Sequence, residues 1–262
     1  MKKIILFPHM LGQLKSGVQK TPMYIKPFIG KQYELHNIKC NNDLYKNLQD
    51  LYYVNMNINS PKINIGGDHS MSIATVADSL NKYPNLKLIW IDAHADINTY
   101  KKSSSKNYHG MPLSFLTGLD YDTRFNFINN LLPMNNILYI GIRDLDPFEK
   151  EIIEKHNIKY ITVEDIRYNL LDNLNKISEF ISSNPIHVSF DVDAMDPSII
   201  YSTGTRVSNG FNINESHNIL NYLNTKNIVN MDITELNCEI GNINQRFTSF
   251  TNFFKIFNNF IY

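Results

Sequence analysis

With 262 residues, 25 basic against 25 acidic side chains and no formal net charge, the chain has no electrostatic bias toward nucleic acid or anionic lipid. Two cysteines, Cys40 and Cys238, are too few for a disulfide framework or a thiolate zinc cluster, so any metal must use nitrogen and oxygen ligands, and a reducing compartment is expected. The opening apolar run is only residues 4–7, too short for a secretory signal, and no window approaches the roughly 18 apolar residues of a membrane span, so a cytoplasmic protein with no membrane partner is expected.

Short β-branched or aromatic runs recur along the chain at residues 4–7, 63–65, 86–91, 137–140, 160–163, 187–190 and 228–233, with helix-sized spacers between them. Helical patterns follow the second run, at 70–82, and the fourth, at 147–156, where Pro147 suits a first helical position. The last stretch, 247–262, spaces Phe250, Phe253, Phe254, Phe257 and Phe260 as a helix does, and packing against the sheet is the expected use of that face, with partner docking the alternative. Strands alternating with helices predict βαβ units, and runs apolar at every position, such as Leu88-Ile89-Trp90-Ile91, predict strands covered on both faces. The expected fold is therefore a three-layer α/β/α arrangement with a central, parallel, mostly buried sheet. No linker, charge block or repeat marks a boundary, so residues 1–262 are expected to form one domain.

The chemistry sits at the ends of those runs. Gly66-Gly67-Asp68-His69-Ser70 follows the second, Asp92-Ala93-His94-Ala95-Asp96 the third, and Asp191-Val192-Asp193 the sixth. In an open parallel sheet, ligands bind beyond the carboxyl ends of the strands, where all three clusters would meet. If strand geometry persists, period two turns Asp92, His94 and Asp96 to one side. Each Asp alone reads as a helix cap or a solvated group, and Asp68 suits a cap for the helix after it. Together, four carboxylates and an imidazole directly after buried strands would cost several kcal/mol in repulsion and desolvation without cations. With His69, the set suits two cations bridged by carboxylates; Mn²⁺ is the expected metal, with Fe²⁺, Co²⁺ or Ni²⁺ as alternatives and Zn²⁺ less natural.

These motifs, with His109-Gly110-Met111-Pro112-Leu113-Ser114-Phe115 and Ser189-Phe190-Asp191-Val192-Asp193-Ala194-Met195-Asp196-Pro197, resemble the arginase/ureohydrolase family nearly end to end. The stretch from Asp96 through Asn98 and Ser105 to His109 is similar to the arginase branch rather than to agmatinases. The resemblance implies an arginase-like fold and hydrolysis of L-arginine to L-ornithine and urea with two Mn²⁺ per subunit. It assigns His69, Asp92, Asp96 and Asp191 to one ion and His94, Asp92, Asp191 and Asp193 to the other, with Asp92 and Asp191 bridging. It also implies His109 as proton shuttle, Asp96 as a proton acceptor, Glu235 as guanidinium acceptor, and Thr205 as a pocket residue. Asn98 and Ser105 would read the α-carboxylate and Asp146 the α-amino group, favouring arginine over agmatine. A homo-oligomer, as a trimer, is expected.

Arg206 and Cys238 stand where prolines are usual in that family, and the segment 46–62 is shorter than usual, which bears on loop rigidity and the pocket rim. The alternatives are another ureohydrolase, acting on agmatine or a guanidino acid, and a non-catalytic family member. A binuclear phosphatase is disfavoured because no phosphate-cradling basic residues accompany the clusters.

Overall fold

The computed structural model describes residues 3–59 and 61–261. Among them, eight strands form one sheet in which all neighbours run parallel: β1 (Lys3–Phe7), β2 (Glu34–Asn37), β3 (Lys62–Gly66), β4 (Lys87–Ile91), β5 (Ile137–Ile140), β6 (Lys159–Ile161), β7 (Ile186–Asp191) and β8 (Ile228–Thr234). Their spatial order is β2-β1-β3-β8-β7-β4-β5-β6. The expected parallel sheet is thus present, and alternate residues along β1, β4 and β5 feed two separate cores. Ile4, Ile65, Ile89, Val188 and Ile233 pack toward one side, and Ile5, Leu88, Trp90, Tyr139 and Val229 toward the other. This double burial is why the runs of β1, β4 and β5 carry no polar alternation, whereas β3, β7 and β8 alternate apolar residues with the buried polar side chains of Asn64, His187, Ser189, Asn230 and Asp232.

On the first face lie α1 (Thr21–Ile25), α6 (Val163–Tyr168), α7 (Leu170–Ile181), α8 (Ile213–Asn224) and α9 (Ile243–Ile261), and on the second α2 (Leu44–Met56), α3 (Ser72–Lys82), α4 (Pro112–Thr117) and α5 (Pro147–Lys155). The last helix starts four residues before the predicted one, with Phe253, Ile256 and Phe257 buried in the first core; Tyr262 lies outside the described residues. Among the described residues no helix is long and apolar enough to cross a membrane.

Several boundaries differ from the sequence expectation for local reasons. The sixth strand ends at Ile161 rather than at 163, because the Thr162 side chain caps α6 in a reciprocal pair with Asp165. The predicted helix at 70–82 begins with a 3₁₀ turn, His69–Met71, before α3 proper. The sequence reading missed β2, whose residues Glu-Leu-His-Asn form a half-exposed edge strand, and α2, although Asp43 capping a Leu44, Leu48, Leu51 stripe was a signal for it.

Candidate metal centre and the cavity above it

Four adjacent central strands, β3, β8, β7 and β4, present their carboxyl ends side by side, and each delivers residues to one place. After β3, the Asp68 carboxylate accepts the N–H groups of Ser70 (3.0 Å) and Gly12 (2.9 Å), so the expected cap is formed and His69 is held in the turn behind it. Gly67 lies so close to the His9 backbone that a Cβ there would land on the His9 carbonyl oxygen. The His69 ring stacks on Trp90, with centroids 4.2 Å apart and planes at 9°.

After β4 the chain does not stay extended. The His94 N–H donates to Asp92 Oδ1 at 2.7 Å, and Asp96 adopts a left-handed conformation with φ 49°. The same curl recurs after β7, where the Asp193 N–H donates to Asp191 Oδ1 at 2.8 Å inside a 3₁₀ turn. Persisting strand period two is therefore corrected: these side chains converge because each leading aspartate folds the next residues back on itself. A positive φ at a non-glycine residue costs of order 1–3 kcal/mol and persists only where surrounding contacts impose it. Here the Asp96 carbonyl accepts Leu113 N–H at 3.0 Å, and the Ala95 carbonyl accepts the Tyr139 hydroxyl at 2.9 Å.

The result is a cage. His69 Nδ1 lies 3.2 Å from Asp92 Oδ2, 3.0 Å from Asp96 Oδ2 and 3.2 Å from Asp191 Oδ2, yet this buried nitrogen has no hydrogen bond to any of them. His94 Nδ1 lies 3.2 Å from Asp193 Oδ2 and 3.4 Å from Asp92 Oδ1. Among the described residues, two groups have ligand atoms close enough to share an ion, His69-Asp92-Asp96 and Asp92-His94-Asp193, with Asp92 common to both and Asp191 beside the first. An imidazole nitrogen surrounded by acceptor oxygens but bonded to none fits a cation-sized gap between them. Burial, then Asp193 and Asp92, pushes Asp191 well above the usual carboxylate range, and burial with Asp92 pushes Asp96 up to about 6. Against the downward pull of burial, the carboxylates hold both imidazoles well above their ordinary value. Acids that resist ionising beside imidazoles that attract protons mark a surplus of negative charge, the condition that divalent cations relieve.

Beside the cage is an open cavity whose lining includes His94, Asp96, Asp191, Asp193, Thr205, His109, Asn98, Ser105 and Asp146. The Thr205 hydroxyl donates to Asp193 Oδ2 at 2.8 Å, and Asn98 Nδ2 donates to Asp146 Oδ2 at 2.6 Å. Three further wall residues, Ser103, Asp144 and Glu149, escaped the sequence reading. Glu149 was legible as the third helical residue of a capping box opened by Asp146 and Pro147; burial pushes its carboxyl up to about 7. Ser103 Oγ sits 3.3 Å from Ser105 Oγ.

His109 is anchored through its N–H to the Gly12 carbonyl at 3.1 Å, and its Nδ1 lies 3.1 Å from Glu235 Oε1. Although burial would lower it, Glu235 brings this imidazole up to about 9. Glu235 itself, at φ 65°, is buried beside His109. Its carboxylate accepts the His69 N–H at 2.9 Å and Gln13 Nε2 at 2.6 Å. No sequence signal pointed to Gln13, which is brought there by a loop more than two hundred residues away in the chain.

With this geometry in view, the relatives are informative. A model of the arginase family matches residues 17–251. The chain belongs to the arginase family. An arginase of Glaciozyma antarctica is 38% identical over 210 residues, which make up 75% of this chain and 60% of that protein, so the chain spans less than two thirds of that relative's length. An arginase of Staphylococcus aureus (strain MRSA252) is 35% identical over 85% of this chain and 76% of its own. The crystal structure of Entamoeba histolytica arginase in complex with L-ornithine superposes with a TM-score of 0.88 at 27% identity, covering 98% of both chains.

The two positions at which the resemblance leads one to expect proline, 206 and 238, are held differently. The Arg206 guanidinium lies 4.2 Å from the Tyr201 ring centroid and donates to the Tyr201 and Thr203 carbonyls at 3.2 Å each, tying down the loop that presents Thr205. Cys238 is a free, partly buried thiol packed against the first core.

Proposed function

We propose that the chain is a Mn²⁺-dependent arginase that hydrolyses L-arginine to L-ornithine and urea. One observation carries the reading: His69 Nδ1, three carboxylates and the His94-Asp193 pair meet beside a cavity whose lining also bears amide, hydroxyl and carboxylate groups. The relatives named arginase and the ornithine complex of one of them support the same substrate class.

His69, Asp92, Asp96 and Asp191 would hold one cation and Asp92, His94, Asp191 and Asp193 the other. When bound, two cations supply the positive charge that lets a water ionise near neutral pH. Everything else falls to the chain's own groups. The guanidinium carbon is a poor electrophile, so the cavity must supply position and a fixed field. Asn98, Ser105 and Ser103 offer donors to an α-carboxylate, and Asp146 offers an acceptor to an α-amino group. A substrate lacking the carboxylate leaves the donors unpaired, which disfavours agmatine. Thr205 steadies Asp193 by its hydrogen bond. His109, kept as an imidazolium by Glu235, gives its proton to the departing amine and recovers one from solvent. Glu235 thus acts on the substrate's charge across His109.

The test is urea release from L-arginine and from agmatine by protein loaded with Mn²⁺. Turnover of arginine well above agmatine is expected, with loss in His94→Ala. A folded, metal-loaded sample yielding no urea from arginine overturns the reading, and preference for agmatine moves it to another ureohydrolase.

A further inference from the structure

The cage rests on a second, deeper set of polar side chains that does not line the cavity. His69 Nε2 lies 2.8 Å from Ser189 Oγ; Ser189 Oγ lies 3.2 Å from Ser72 Oγ; and the Ser72 hydroxyl donates to Asp232 Oδ2 at 2.8 Å. All four side chains are buried. Asp232, on β8, also accepts the Thr75 hydroxyl and, on Oδ1, Asn64 Nδ2 at 2.9 Å, and His187 Nε2 lies 3.1 Å away. Burial would raise the Asp232 carboxyl, but His187, Thr75 and Ser72 bring it below the usual range, so it accepts and has no proton to give.

That fixes the direction of every link. Ser72 has one proton, which goes to Asp232, so in the Ser72-Ser189 contact Ser72 accepts and Ser189 donates. Ser189 then has no proton left for His69, and the remaining contact is a hydrogen bond only if His69 Nε2 is the donor. The opposite order would set lone pair against lone pair among side chains that are all buried. The carboxylates around Nδ1 pull the other way, since each would draw a proton onto that nitrogen. We propose that Asp232, acting through Ser72 and Ser189, is a positioning residue of the metal centre that fixes the His69 proton on Nε2 and keeps the Nδ1 lone pair for a cation. The inference rests on the metal-centre reading above and extends it to residues three hydrogen bonds away. Partners of this kind orient imidazole ligands, and their loss weakens metal binding.

The experiment is a titration of metal-stripped protein with Co²⁺, followed by the visible absorption of the bound ion and paired with apo-protein melting. Wild-type protein is expected to take up two equivalents. Asp232→Asn and Ser72→Ala are expected to bind one of the two about 10- to 100-fold more weakly. Thr75→Val removes a donor to Asp232 outside the relay and is expected to melt earlier while keeping Co²⁺ affinity within about twofold, a pattern that a merely structural role would not separate. If Asp232→Asn does not fold, Ser72→Ala, which leaves Asp232 with Thr75 and Asn64, decides alone. A folded Ser72→Ala protein with wild-type affinity at both positions overturns the inference and leaves the metal centre intact; wild-type protein that takes up no Co²⁺ overturns both.

Discussion

His109 and Glu235 act as one unit, and their pairing sets a direction for the pH response. An imidazole raised from its ordinary value to about 9 keeps its proton across the neutral range. Its pairing stabilises the fold fully below the ordinary histidine pKa and is lost as pH rises through about 9. The rate of urea release should therefore fall on an alkaline limb near 9, and Glu235→Gln should move that limb toward 6.5, the unperturbed histidine value. His109→Asn should lower kcat by about a hundredfold or more, read from the same profile. A limb that stays put in Glu235→Gln would remove Glu235 from this role. At this scale the ligand-bearing clusters were legible, because Asp-x-His-x-Asp and Asp-x-Asp directly after buried strands have no inexpensive explanation. Gln13, Ser103 and Asp232 were not: one amide, one hydroxyl and one strand aspartate carry no signal until folding shows what they face.

Each site loop is shaped by where a strand stops. β3 ends at Gly66, and the next residue must pass against the His9 backbone, which leaves no room for a side chain. Gly67→Ala should displace the turn that carries His69, at roughly 2–5 kcal/mol. Thermal melting should show the loss, and Co²⁺ uptake should weaken in parallel; an unchanged melting temperature would mean the β1 loop yields easily. Strands β1, β4 and β5 were readable from unbroken apolar runs that double burial demands, and β3, β7 and β8 from apolar residues at every second position. The edge strand β2 was not, since one side of it faces no neighbour and its residues are half-exposed. The curl after Ile91 was also unreadable from spacing: alternation suits a strand and an Asp-led turn equally, and only the Asp92 acceptance of the His94 N–H distinguishes them.

For the molecule as a whole, the cage is an electrostatic cost carried by the fold until cations offset it. A ligand at a hundredfold excess over its Kd adds about 2.7 kcal/mol per site, and each kcal/mol moves the melting temperature by about 2–4 °C in a domain of this size. Stripping both ions with a chelator should then lower the midpoint by roughly 10 °C or more. Mn²⁺ should restore it, and Asp193→Ala should recover only part of the gain; calorimetry with and without metal reads all three. A midpoint indifferent to Mn²⁺ would argue that the carboxylates are balanced by protein alone.

The sequence by itself determined that the sheet is parallel and buried and that acidic and imidazole groups cluster at its strand ends, since hydrophobic period and the cost of burying charge act locally along the chain. Tertiary structure alone decided which of those groups share an ion-sized gap, that Glu235 pairs with His109 and that Asp232 supports His69 through two serines. Those relations depend on strand order, which places β8 between β3 and β7 although the chain reaches it last. Neither composition nor spacing encodes that adjacency; it comes from how the two apolar faces of the sheet are covered.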